Sequence, residues 1–177
     1  GIHITGVGSY IPSHKEKNQD FLAHTFLDDS GKPFGADNGD IIEKFKAITG
    51  IEERRYAKPH QTASDLAFLA AEKAIEDASL DPETLDYIIV AHNFGDIQHG
   101  CIQTDILPSL ATRVKHNLQI KNPNCVAYDL IFGCPGWVEG VIQAKAFIKS
   151  GMAKRCLVIG ADTLSRIADQ NDRDAMI

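Results

Sequence analysis

Nowhere in the chain does an apolar run approach the roughly 20 residues that a membrane-crossing helix needs. The opening GIHITGVGSYIP also has neither the basic start nor the apolar stretch of a secretory leader. The expectation is a cytoplasmic protein with no membrane partner. Cysteine is scarce: there are four residues, Cys101, Cys125, Cys134 and Cys156, and no two of them stand as Cys-x-x-Cys. Such sparse thiols exclude a disulfide-stapled scaffold and read as reduced. Positive charge is not in excess either. The 24 acidic residues against 18 basic ones leave a formal charge of -6, which speaks against nucleic acid as the main partner. Internal repeats and low-complexity segments are absent.

What is present is enough apolar material, 44% of 177 residues, for one well-buried domain. IHITGVGSYI (residues 2 to 11) reads as a first strand, and a polar stretch follows that carries one short helix near residues 18 to 27. DIIEKFKAITG (40 to 50) reads as an amphipathic helix closed by Gly50, and IEERRYAK as a short extended piece whose charges are solvated. The spacing predicts a helix over TASDLAFLAAEKAIEDASL, with Thr62 and Asp65 as a capping-box pair and Leu66, Leu69, Ala70, Ala74 and Ile75 on one face. DYIIVAHNF then reads as a strand, LPSLATRVKHNL as a helix, CVAYDLIF as a buried strand, WVEGVIQAKAFIKSG as a helix apolar over much of its circumference, and RCLVIGAD as a strand. Strands alternating with helices, several of them apolar on both faces, ask for an α/β fold with a mostly parallel sheet covered by helices.

One strand-to-helix junction, FGCPGW, places Cys134 among Gly133, Pro135 and Gly136. With Pro135 as the first helical residue, Cys134 would cap the helix, where unpaired backbone N–H groups and the helix dipole favour the thiolate. The carboxyl ends of parallel strands are also where ligands bind. Most cysteines in such domains are small apolar fillers. Cys125 and Cys156, inside strand patterns, fit that description, whereas the turn and its glycines favour a nucleophile at Cys134. Other clusters carry less. GVG at 6 to 8 lacks the third glycine of a dinucleotide fingerprint and reads as a structural turn, and His92, His99 and Cys101 match no zinc spacing and read as a polar loop. No metal site is expected.

Six blocks in order, ITGVGSYIP, ITGIEERRYA, TASDLAFLAAEKAIEDASL, AYDLIFGCPGW, KSGMAKRCLVIGADTLSR and DRDAMI, together resemble the β-ketoacyl-acyl carrier protein synthase III family of the thiolase superfamily. The resemblance spans residues 1–177 as the N-terminal half of such an enzyme. It implies a thiolase-like αβαβα architecture, no cofactor, acyl-CoA and acyl carrier protein as substrate and partner, and a homodimer. It also implies that Cys134 accepts the acyl group and that its backbone N–H helps form an oxyanion hole. Arg166 would stand near the CoA entrance, and Leu107 would contribute to an acyl pocket across the dimer. The His and Asn that promote decarboxylation in the family belong to the other half. The pattern is not kept everywhere. Ile131, Phe132 and Gly133 stand where the family has alanines, Pro135, Gly136 and Trp137 follow the cysteine, and Lys44 and Ile48 replace the Trp and Arg that clasp the adenine of CoA. A non-catalytic partner subunit of the same fold, and an unrelated cysteine hydrolase or redox enzyme, are the competing readings.

Overall fold

The computed structural model describes residues 1–176. Along the chain its elements are β1 (His14–Lys17), α1 (Asn38–Thr49), β2 (Glu53–Tyr56), α2 (Ala63–Asp77), β3 (Tyr87–His92), β4 (Asp96–Ile97), β5 (Thr104–Asp105), α3 (Leu110–Asn117), β6 (Val126–Ile131), α4 (Gly136–Lys149) and β7 (Cys156–Gly160). They fall into two compact units, one formed by Gly1–Tyr10 with Pro59–Thr163, the other by Ile11–Lys58 with Leu164–Ile177.

The first unit is built on a three-stranded parallel sheet in the order β6-β3-β7. Because side chains alternate along a strand, Ile88 and Val90 of β3 join a core with Ala63, Ala67 and Ala71 of α2 and Leu110, Ala111 and Val114 of α3. Ile89 points the other way, toward Gly140 of α4, where an added Cβ would come within 2.8 Å of Val158 and 3.6 Å of Ile89. Helices therefore cover both faces, as the strand pattern requires. α4 offers the sheet its small residues Gly136, Gly140 and Ala144, and Val138 and Ile142 are left about half exposed. β6 is an edge strand in this sheet with Val126 and Ile131 exposed, so it is not the fully buried strand its apolar run suggests.

Two helix boundaries follow the sequence signals: Thr62 and Asp65 form the capping box of α2, and Gly50 closes α1 in the left-handed region with φ 71°. α3 opens later than the LPSLATRVKHNL run suggests, at Leu110, where Ser109 Oγ accepts from Thr112 N at 3.1 Å. The buried stripe of α2 is Ala63, Ala67 and Ala71, with the expected Leu66 and Leu69 face only half buried. The first strand is also corrected: residues 2 to 11 form no strand but an extended strap along α2. Val7 N donates to Asp77 Oδ2 at 2.9 Å and Ser9 O accepts from Lys73 Nζ at 2.8 Å, so helix side chains satisfy groups a sheet would otherwise satisfy. Gly6 and Gly8 lie so close to the α2 backbone around Ala70, Ala74 and Ala78 that a Cβ on either would overlap it. The GVG segment is thus a close approach and not a turn.

In the second unit β1 and β2 pair antiparallel, and Phe21, Phe26, Ile41, Phe45 and Met176 form a separate core. The predicted helix near residues 18 to 27 is a single 3-10 turn at Asn18–Phe21. Within the charged run, Arg54 is a structural residue and not a solvated one. Its guanidinium donates to Asn18 Oδ1 at 2.8 Å and to Met176 O at 2.5 Å while lying over the Phe45 ring.

At the amino end of the parallel sheet one carboxylate joins strand ends. Asp86 Oδ2 accepts from Lys154 N at 2.6 Å and Arg155 N at 2.9 Å, and its backbone O accepts from Val126 N. The Lys154 N–H, aided by that of Arg155, holds the Asp86 carboxyl below the usual carboxylate range. A depressed carboxyl contributes stability above its unfolded pKa of about 3.9 and loses it as pH falls through the folded value. Asp86→Asn should therefore cost about 1 kcal/mol at pH 7, a value reduced for its solvent exposure. The difference from the unsubstituted protein should shrink as pH falls through the folded value. Urea titrations across pH 3 to 7 measure this.

Candidate active site

Cys134 lies where β6 gives way to α4. After Ile131 the chain turns through Gly133, with φ +83°, and Gly136 N donates to Gly133 O at 3.0 Å, closing a tight turn with Cys134 and Pro135 at its tip. The helix opens at Gly136 with Pro135 as its N-cap, so Cys134 stands one residue ahead of the cap it was expected to be. The thiol is exposed, which sets it apart from a packing cysteine.

The glycines have different tasks. A Cβ at Gly136 would meet Ala91 at 3.1 Å, so this residue lets the helix start settle on β3, while Gly133 provides the left-handed turn with Asn93 Oδ1 3.8 Å from where its Cβ would be. Trp137 reaches along the sheet. Its indole lies over Gly160 and donates to Val158 O at 3.3 Å, which places it on β7.

Asn93 follows directly on β3 and is tied to Asp162, just beyond β7. Asp162 accepts from Asn93 N at 2.9 Å and from Asn93 Nδ2 at 2.7 Å. Donating through both N–H groups leaves Asn93 Oδ1 as the atom turned toward the Gly133 turn. This crest at the carboxyl end of a parallel sheet is the position where such sheets bind ligands.

Behind the crest, polar side chains are enclosed. The His92 side chain is fully buried; its Nδ1 accepts from Gly95 N and its Nε2 lies against Asp129 Oδ2, each at 2.9 Å. A backbone N–H can only donate, so Nδ1 carries no proton and Nε2–H is the donor of a neutral imidazole. Asp129 also accepts from Leu110 N at 2.7 Å and Ala111 N at 2.8 Å. Nearby, buried Asp96 accepts from Ser64 N and Ser64 Oγ and pairs with Arg113, which also reaches Asp105 at 2.8 Å and Pro108 O at 2.9 Å. The Arg113 hydrogen bond holds the Asp105 carboxyl below its usual range. His92 is therefore a strand residue inside the protein, not part of a polar loop, and His99 and Cys101 remain exposed in that loop. Among the described residues no group of three or more His, Cys, Asp and Glu is placed to hold a metal ion.

The other expected residues are placed as follows. Leu107 is 79% exposed in the segment between β5 and α3. Arg166 belongs to the second unit, where its Nη2 donates to Lys58 O at 2.8 Å. Lys44 and Ile48 are exposed on α1. Asn93, Asp162 and Asp129 were not singled out by the motif reading, and His92 was weighed only as a metal ligand, although each is a polar residue inside or directly after an apolar strand run.

Several known proteins are similar to this chain. The family model for 3-oxoacyl-[acyl-carrier-protein (ACP)] synthase III matches residues 128–177, a segment that holds both Cys134 and Arg166. The β-ketoacyl-[acyl-carrier-protein] synthase III of Neisseria meningitidis serogroup C is 39% identical over 174 residues, which is 98% of this chain and 48% of that protein. The crystal structure of 3-oxoacyl-[acyl-carrier-protein] synthase III from Aquifex aeolicus VF5 superposes with a TM-score of 0.78 at 34% identity, covering 98% of this chain and 49% of that one. The synthase III from Thermus thermophilus gives 0.74 at 32%, covering 98% and 46%. The chain spans about half the length of the curated relatives it matches. Its fold is the thiolase-like α/β fold. The chain is similar to about one half of these synthases III.

Thiol accessibility follows from the geometry. Burial pushes the Cys125 thiol up, and burial followed by the Asp86 charge pushes Cys156 up to about 11. Iodoacetamide at pH 7.5 should label Cys101 and Cys134 at least about tenfold faster than Cys125 and Cys156, because thiolate fraction and access favour the same pair. Peptide mass mapping over time reads the four rates, and equal rates would contradict the packing.

Proposed function

We propose that Cys134 is the acyl-accepting nucleophile of a β-ketoacyl-acyl carrier protein synthase III-type condensing enzyme. The observation that carries this reading is an exposed thiol in the tight turn between the carboxyl end of a parallel strand and a 14-residue helix. The similarity along 98% of the chain supports it. In this reading the Cys134 thiolate attacks the carbonyl carbon of an acyl thioester, the bond to the CoA or carrier sulfur breaks, and that thiolate leaves to take up a proton. The acyl group then rides on Sγ. Malonyl-acyl carrier protein loses carbon dioxide, its carbanion carbon attacks the acyl carbonyl, and Sγ departs as thiolate, leaving a β-ketoacyl carrier protein. The Cys134 N–H serves the oxyanion of both tetrahedral intermediates, a donor whose removal typically costs a few kcal/mol. Residues promoting decarboxylation would come from the half of the protein beyond this chain. The enzyme would work in the cytoplasm as a homodimer in fatty acid or related biosynthesis, with Arg166 near the CoA entrance and Leu107 reaching the acyl pocket of the second copy.

Incubated with acetyl-CoA, the full-length protein should gain the mass of one acyl group, located on Cys134 by peptide mapping, and Cys134→Ala should abolish both the adduct and condensation while leaving the fold intact. CoA release with no adduct would instead identify a cysteine hydrolase, and neither event would leave a non-catalytic subunit of the same fold.

Lys44 and Ile48 make a second expectation. Without an aromatic face and a guanidinium, adenine loses contacts worth about 1 to 2 kcal/mol, so the Michaelis constant for acetyl-CoA should rise about 5- to 30-fold relative to members that keep them. Acyl groups presented on carrier protein should be preferred. Steady-state kinetics with matched primers checks this, and a low-micromolar constant for acetyl-CoA would refute it.

A further inference from the structure

We infer that His92, acting with Asp129, is a positioning residue that sets the segment carrying Leu107 and thereby the chain length of the acyl primer. The inference rests on the roles proposed above for Cys134 and Leu107. Residues 93 to 109 leave the sheet at the end of β3 and return at the start of α3, and the His92–Asp129 pair holds both ends. At the outgoing end His92 Nδ1 accepts from Gly95 N; at the returning end Asp129 accepts from Leu110 N and Ala111 N; His92 Nε2 joins the two.

The contact is passed on from Gly95. With φ +74°, this residue is pressed against the returning strand so closely that a Cβ would lie 2.5 Å from Ile106 Cγ2 and 2.8 Å from Asp105 O. Leu107 is the next residue. Any shift of Gly95 N away from the imidazole therefore moves Asp105 and Ile106, and with them the side chain beyond. Arg113 braces the same stretch from α3 by holding Asp96, Asp105 and Pro108 O, so displacement is confined to the segment and does not unravel it. A buried, fully bonded imidazole is a costly choice where any apolar residue could fill a core. Two directed hydrogen bonds at a fixed angle are what an apolar residue could not supply.

Two substitutions in the full-length protein separate the bonds. His92→Gln can keep an N–H donor toward Asp129 but loses the acceptor for Gly95; His92→Asn can keep that acceptor and loses the donor. The amide of Gly95 should exchange with solvent at least about tenfold faster in His92→Gln and stay protected in His92→Asn. The ratio of kcat/KM for acetyl and octanoyl primers should change about fivefold or more in His92→Gln, whereas loss of structure alone would lower both values in parallel. Should His92→Gln fail to fold, Asp129→Asn is the second variant. It loses one acceptor, so exchange at Leu110 or Ala111 should rise and the primer ratio should shift. Unchanged Gly95 exchange in His92→Gln, or faster exchange with an unaltered primer ratio, would overturn the proposal. An unsubstituted protein that accepts no acyl group would overturn the function reading and the primer role with it, and exchange at Gly95 tells that failure apart from a failure of the clamp.

Discussion

A single carboxylate, Asp129, sits in the middle of an apolar strand and has to be satisfied there. Its oxygens take two N–H groups from the first turn of α3 and the Nε2–H of His92, three donors from two directions. A charge in that position is tolerated only because helix N–H groups and dipole neutralise it. The consequences run outward. α3 must start at Leu110 for its N–H groups to reach, β6 must lie in register with β3 so that His92 stands opposite Ile131, and the loop between β3 and α3 must leave and return at one spot. The crest on which Cys134 stands is thereby fixed from beneath.

That crest shows how a parallel sheet gathers polar groups from strand ends alone. β3, β6 and β7 finish close together, and each contributes a different kind of group just past its last paired residue: an amide at Asn93, a thiol at Cys134 and a carboxylate at Asp162. No long excursion of the chain is needed. The turn at Gly133 makes the thiol prominent, and the Asn93–Asp162 pair keeps the neighbouring ground polar and hydrogen-bonded.

Local signals in the sequence account for much of this. The capping pair Thr62 and Asp65, the stop at Gly50 and the strand-helix alternation are short-range features, each decided within a few residues, and they were legible. The exposed position of Cys134 in a strand-to-helix turn was legible for the same reason, since its glycines and proline stand beside it. What was not legible depends on partners far along the chain. Asp162 meets Asn93 across 69 positions and Asp129 meets His92 across 37, and no periodicity announces either. The apolar N-terminal run was misjudged because β-branched residues mark a strand by propensity, while the actual partner of that run is a helix.

That N-terminal strap also reverses an ordinary rule of substitution. In most cores the large apolar residues are the ones that cannot be exchanged, and glycines are spacers. Along this strap Ile4 and Val7 are 78% and 70% exposed, while the positions facing α2 are Gly6 and Gly8, with no side chain at all. Bulk and not hydrophobicity is what the packing limits there: a change at Ile4 or Val7 meets mostly solvent, whereas any side chain at Gly6 or Gly8 would overlap the helix.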